Sequence, residues 1–302
     1  MKTKTSIFIS NEAVLAVVGR DSGKKIYIKR CCRKEMPEGL VYNGEISDRQ
    51  RLAEVLREFY SDFALGTSDV HLVLDSDAVL TGIMNVPALG EKQLRQLVRN
   101  EFPQQNTGRG ELLYDYTVLR PRLQSKGGQI LGAAAEKKLI LQYMELFKEI
   151  GVGLSGIDIG LACAHRVCEK LPELKDATCL VSVLDGSSMV SMLFVNGIYS
   201  FSSRSRLFEP RGTYNSAVEI SRMLSALLQF NISQKTEDII SRAYICGLKG
   251  DEENFCADIS ASLGVDILAL PESLPIKSEY MRINKTSYSD YLYCIGDIIN
   301  SK

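Results

Sequence analysis

At 302 residues the chain is long enough for two hydrophobic cores, and with 36 basic against 37 acidic residues and a formal net charge of −1 it lacks the basic face of a nucleic-acid binder. No apolar run approaches the ~18 residues that a membrane span needs, and Met1-Lys2-Thr3-Lys4-Thr5 runs straight into a strand pattern without a leader-like segment. The eight cysteines (Cys31, Cys32, Cys163, Cys168, Cys179, Cys246, Cys256 and Cys294) form no CxxC pair, so they read as buried free thiols of a reducing compartment.

The first elements are strands. Ile7 to Ile9 and Ala13 to Val18 flank a polar break at Ser10-Asn11-Glu12, and Asp21-Ser22-Gly23 is a turn before a third run, Ile26 to Ile28. Ser47 and Gln50 make a capping-box pair ahead of Leu52, Val55, Leu56, Phe59, Tyr60 and Phe63, whose spacing predicts a helix with one apolar face. Val70 to Leu74 is a strand, with His71 inside it, and Val79 to Val86 is another, closed by Pro87. Glu91 to Phe102 reads as a helix stopped by Pro103, with Glu101 at the edge of its apolar stripe.

Polar, Gly-rich stretches at residues 107–111 and 124–128 bracket the strand Leu112 to Leu119 and lead into a second strand, Gln129 to Ala134. A helix with Leu139, Ile140, Tyr143, Met144 and Phe147 on one face then ends at Gly151, and Leu154 to Ile159 is a strand. Val79 to Ile159 therefore has the strand and helix order of a split βαβ module, inserted between two similar halves. The helix Gly160 to Leu171 follows. It carries His165 between Cys163 and Cys168, a packed helix face rather than a metal or Cys-His site.

The chain is organised around Ala177 to Arg204. Cys179 to Leu184 and Met189 to Val195 are apolar strands on either side of the turn Asp185-Gly186-Ser187-Ser188, the same plan as the first thirty residues, followed by a Ser/Arg run. Ser216 and Glu219 form a second capping box before Ile220, Met223, Leu224, Leu227 and Leu228, the clearest amphipathic stripe in the chain. Ala243 to Cys246 is a strand, and the turn Gly247-Leu248-Lys249-Gly250 feeds a helix from Asp251 to Leu263 capped by Gly264. Amides at such a strand-to-helix turn can face a phosphate. Val265 to Leu270 is the next strand, and Tyr288 to Ile299 is the last helix.

The order Pro37-Glu38-Gly39-Leu40-Val41, Gly44-Glu45-Ile46, Ile83 to Leu89, Gln93-Leu94, Glu101 to Pro103, Glu219 to Arg222, Leu263-Gly264-Val265 and Ile295-Gly296 resembles the PilM family of type IV pilus assembly proteins, and more distantly FtsA. The resemblance runs nearly end to end. It implies an α/β, two-lobed actin-like fold of the ribonuclease H-like repeat type with an inserted small α+β module: a first lobe over 1–78, the module over 79–159, a return over 160–176, a second lobe over 177–287, and a C-terminal helix over 288–302 packing back on the first lobe. The cofactor of a working site in such a fold is ATP with magnesium.

By that resemblance the nucleotide residues are Ser10, Asp185, Gly186, Ser187, Ser188, Gly247 and Gly250. The departures are as informative. Phe8-Ile9-Ser10-Asn11 stands where the family has an Asp-Ile-Gly-Ser turn, and Val183-Leu184-Asp185 stands at the second Asp-Ile-Gly, with Asp185-Gly186 two residues late. The third glycine run is reduced to Gly247 and Gly250. An ATPase needs phosphate-binding amides, metal and an ordered water together.

The expected function is therefore an actin-shaped adaptor of a pilus or competence platform, with degenerate ATPase motifs and no catalytic residues. It would hold the cytoplasmic N-terminal tail of a PilN-like bitopic membrane protein on Val79 to Phe102 and the neighbouring first-lobe sheet. Other platform components and self-association complete the implied partners, and the implied place is the cytoplasm, at the inner face of the membrane. The alternatives are an ATP-binding switch on the same turns and a small-molecule kinase, for which His71 is the sole candidate base.

Overall fold

The computed structural model describes residues 2–103, 110–123, 127–234, 239–250 and 252–299. The chain divides into two compact units: unit 1 (Met1–Arg166, Ile276–Tyr280 and Tyr293–Lys302) and unit 2 (Val167–Pro275 and Met281–Leu292).

In unit 1, β1 (Lys4–Ile9), β2 (Ala13–Asp21) and β3 (Ile26–Glu35) pair antiparallel in sequence order. The short hairpin β4 (Val41–Tyr42) and β5 (Glu45–Ile46) leads into α1 (Arg49–Asp62). The next strand, β6 (Val70–Leu74), lies parallel beside β1. Because strand side chains alternate between faces, Ile7 and Phe8 serve different layers. Ile7 packs with Leu52, Leu56 and Phe59 of α1 and with Tyr143 and Phe147 of the helix α3 (Lys137–Glu149). Phe8 meets Tyr293 edge-on at 4.9 Å between ring centroids. Tyr293 belongs to α8 (Leu292–Ile298), where Gly296 lets the backbone approach Cys163 of α4 (Gly160–Cys168): a Cβ at Gly296 would fall 2.0 Å from the Cys163 carbonyl oxygen.

A separate three-stranded sheet holds β7 (Leu80–Val86), β8 (Leu112–Leu123) and β9 (Gly127–Glu136) in the order β7-β9-β8. The helix α2 (Glu91–Glu101) supplies its core through Leu94 and Val98, packed with Val86 and Ile130. The split βαβ reading of Val79 to Ile159 does not hold in full. Strand β10 (Leu154–Ile159) leaves the small sheet and pairs parallel with β6, and the apolar face of α3 joins the core with α1. Local strand and helix order does not choose among sheets; the larger apolar surface on offer does. The large sheet therefore runs β10-β6-β1-β2-β3-β16, where β16 (Ile276–Lys277) is its far edge.

Unit 2 repeats the plan. β11 (Cys179–Asp185), β12 (Ser188–Val195) and β13 (Ile198–Arg206) pair antiparallel in order, and β14 (Arg242–Cys246) and β15 (Asp266–Ala269) add in parallel beside β11. The order β15-β14-β11-β12-β13 thus matches β10-β6-β1-β2-β3 element for element. The helices α5 (Tyr214–Ser233) and α6 (Phe255–Leu263) close its core, with Ile220, Leu224 and Leu227 packed against Leu180, Leu193 and Ile245. The helix α7 (Glu279–Asn284) and strand β16 carried no signal in the sequence reading, and the Ser/Arg run is the outer half of β13.

Both capping boxes are corrected. Helix α1 is capped by Asp48, whose side chain accepts from the Arg51 N–H, and α5 by Thr213, which accepts from Ser216 N–H. Neighbouring residues with equal capping chemistry compete, and the register of the buried stripe chooses among them. The helix expected from Asp251 begins as a 3-10 turn (Glu252–Asn254) before α6, and the last helix opens as a 3-10 turn (Tyr288–Tyr291). Asp251 and the loop residues at 107–109 and 124–126 lie outside the described residues.

Candidate functional site

Six of the seven candidate nucleotide residues lie in unit 2, and Ser10 lies in unit 1. Asp185 and Ser188 are the closing pair of the β11–β12 hairpin, with Gly186 at φ 53°, a conformation in which glycine carries no Cβ penalty. Ser187 holds the loop after β13 by accepting from Leu207 N–H at 2.7 Å, and Ser188 Oγ accepts from Arg204 Nη1 at 3.0 Å. Gly247, where β14 ends, has φ 77°, and a Cβ there would sit 2.1 Å from the Leu184 carbonyl oxygen. The two strand ends are therefore in backbone contact, which brings the Asp185–Ser188 turn and Gly247 to the same end of the neighbouring strands β11 and β14. Gly250 has open space around its Cα and no such constraint.

What joins these turns is a pair that the sequence reading missed. Arg211, in the loop before α5, donates from Nη1 to the Gly186 carbonyl at 3.0 Å and from Nη2 to the Gly247 carbonyl at 2.8 Å, and its guanidinium is ion-paired with Glu252. Glu252 Oε2 accepts from Lys249 N–H at 2.8 Å, and Oε1 accepts from Gly212 N–H at 3.0 Å. Glu252 is only 3% exposed. Burial pushes its carboxyl up, but Arg211 and the two amides outweigh burial and hold it below the usual carboxylate range. The partners are 41 residues apart in sequence, so no local pattern announces them.

The first turn is closed in a comparable way. Ser10 is buried, and its Oγ accepts from Glu12 N–H at 3.0 Å and Ala13 N–H at 2.9 Å. Asn11, at the place of the family's Asp-Ile-Gly-Ser serine, accepts from Asn43 N–H at 2.8 Å. A phosphoryl group would need donors of this kind. The amides of residues 12, 13, 212 and 249 are bonded to the chain's own oxygens. Among the described residues no group of three or more His, Cys, Asp or Glu side chains is placed to hold a metal ion.

The two histidines sit in different settings. His71 Nδ1 lies 3.4 Å from Asp297 Oδ1, which Lys4 Nζ also approaches at 3.2 Å. His165 is buried, and burial together with the Arg166 guanidinium lowers its pKa to about 4, which keeps it neutral. All eight cysteines are free. Burial raises the thiols of Cys163, Cys168 and Cys294 well above their usual range.

In the stretch Val79 to Phe102, β7 is an outer strand of the small sheet and pairs with β9 in unbroken register over its whole length. Leu80 to Val86 carries no charged residue and no proline. Glu101 is exposed at the end of α2.

A family model for the type IV pilus assembly protein PilM matches residues 6–208. The chain belongs to the PilM family. Among solved structures, this PilM-family chain is similar to one described as a PilM-PilN type IV pilus biogenesis complex, at 17% identity with a TM-score of 0.79 and 98% of each chain covered. It is also similar to a Bacteroides thetaiotaomicron protein with an actin-like ATPase fold, at 10% identity and a TM-score of 0.56, covering 97% of this chain and 95% of that one. The cytoplasmic domain of EpsL, an inner-membrane component of the type II secretion system of Vibrio cholerae, matches at 9% identity and a TM-score of 0.51, covering 100% and 97%. These likenesses establish the actin-like fold. A comparison with curated proteins finds no match.

Proposed function

We propose that this PilM-family protein is an actin-shaped adaptor of a type IV pilus or competence assembly platform, which binds the cytoplasmic N-terminal tail of a PilN-like inner-membrane protein without nucleotide turnover. The observation that carries the reading is the end-to-end likeness to a chain of a PilM-PilN complex. The closed turns at Ser10 and Glu252 support the second half of it, since their amides already have partners.

The tail would lie along β7. An outer strand with unbroken register and no charge is the surface to which an extended chain adds through backbone hydrogen bonds, with alternate side chains giving selectivity. Among the described residues no helix is long and apolar enough to cross a membrane. The partner would therefore supply the tether to the inner face of the membrane, and contacts with further platform components or with a second copy belong to the same proposal.

The test is fluorescence anisotropy with a labelled peptide from the tail of the PilN-like neighbour, in nucleotide-free buffer. Saturable binding is expected, weakened by Asn85→Lys at an exposed position of β7. Failure of the peptide to bind in any nucleotide state, alongside stabilisation by Mg-ATP, would sink the adaptor reading and favour an ATP-binding switch.

A further inference from the structure

We propose that Glu252 is an autoinhibitory plug: the chain's own carboxylate fills an oxyanion cradle made by Arg211 and the Gly212 and Lys249 amides, and so keeps phosphoryl groups out of unit 2. This deepens the adaptor reading and rests on it, because it gives the physical reason why the second-unit turns would not serve a nucleotide.

The chemistry of the cradle is that of a phosphate site. It combines a guanidinium, which pairs with two oxygens at once, with two backbone N–H groups where a strand passes into a helix. Lys249 lies just before the 3-10 turn at Glu252–Asn254, which continues into α6. Each Glu252 oxygen takes one amide and one guanidinium N–H, with Arg211 Nε on Oε1 and Nη2 on Oε2. Two further Arg211 N–H groups hold the carbonyls of Gly186 and Gly247. The two turns that carry the candidate nucleotide residues are thus cross-tied by a cation whose counter-ion is internal. A phosphate oxygen can reach these donors only after Glu252 withdraws, and withdrawal leaves Arg211, 9% exposed, without its partner.

Two variants of the full chain separate charge from volume. Glu252→Ala removes the carboxylate and leaves a cation and two amides facing a hole; Glu252→Gln keeps the volume and removes the charge. Thermal melts are run with inorganic phosphate and, separately, with Mg-ATP. Glu252→Ala is expected to gain a saturable rise in Tm with inorganic phosphate, while the parent and Glu252→Gln stay flat, since a ligand that binds only the folded state raises its stability by mass action. A gain with Mg-ATP but not with inorganic phosphate would place the effect on the nucleoside and overturn the proposal. So would a folded Glu252→Ala that responds no more than the parent, or a parent that responds as strongly as the variant.

If Glu252→Ala does not give a cooperative melt, amide hydrogen exchange on the parent decides. The Gly212 and Lys249 amides are expected to be protected and unchanged by millimolar phosphate; exchange as fast as an open loop, or protection that rises with phosphate, refutes the plug. Peptide binding with no phosphate response in Glu252→Ala would sink the plug alone, and a gained phosphate response without peptide binding would sink the adaptor alone.

Discussion

Gly247 and Gly250 were both candidate nucleotide glycines, and the structure separates them. At Gly247, φ is 77° and a Cβ would fall 2.1 Å from the Leu184 carbonyl oxygen, far inside contact distance. Gly247→Ala therefore meets two costs: about 1–2 kcal/mol for an alanine in the left-handed region, and about 1–3 kcal/mol for moving the β14 exit off the end of β11. The expected loss is about 2–5 kcal/mol, a large part of the ~5–15 kcal/mol typical of a folded domain. At Gly250 nothing lies within 4 Å of the added Cβ and φ is not in the left-handed region, so Gly250→Ala should stay within about 0.5 kcal/mol of the parent. Urea unfolding followed by circular dichroism, comparing midpoints at constant slope, measures both. Equal loss in the two variants, or a Gly247→Ala midpoint indistinguishable from the parent, would refute the argument that Gly247 is there for strand contact.

Gly296→Ala should be still less tolerated in unit 1, because its Cβ would lie 2.0 Å from the Cys163 carbonyl oxygen and 2.4 Å from the carbonyl carbon, with backbone on both sides of the contact; loss of soluble, cooperatively melting protein is expected on expression and thermal melting. His165, with its pKa lowered to about 4 from 6.5, is neutral when folded and takes up a proton when unfolded. Its contribution is fully present above about pH 6.5 and is lost as the pH falls toward 4, a slope of up to about 1.4 kcal/mol per pH unit. Urea midpoints between pH 7 and 4.5 should fall in the parent and flatten in His165→Gln. Glu252 has a depressed carboxyl pKa, so its stabilising effect is present above the ordinary carboxylate range and is lost in stronger acid. Glu252→Gln should therefore remove an acid-sensitive component below about pH 4.5 and leave the His165 window intact.

The local pattern of the chain determined its elements. The stripe from Ile220 to Leu228 forms α5 with Ile220, Leu224 and Leu227 buried. Asp185-Gly186 turns the central hairpin, and the repeated strand plan became two sheets of matching order. These signals are legible because helix and strand periodicity and turn conformations act over a few residues. The family resemblance, carried by many short motifs in order, gave the actin-like fold.

Tertiary structure decided the rest. It assigned β10 to the large sheet, where β6 and an apolar layer outcompete the small sheet, although strand order alone favoured the inserted module. It took Glu219 from its expected capping box and set its carboxylate on the Phe208 and Glu209 amides. Above all it brought Arg211 and Glu252 together across 41 residues. A buried ion pair needs a dry pocket, converging amides and carbonyls at the right distance, and those exist only once the strands and loops that build them have packed.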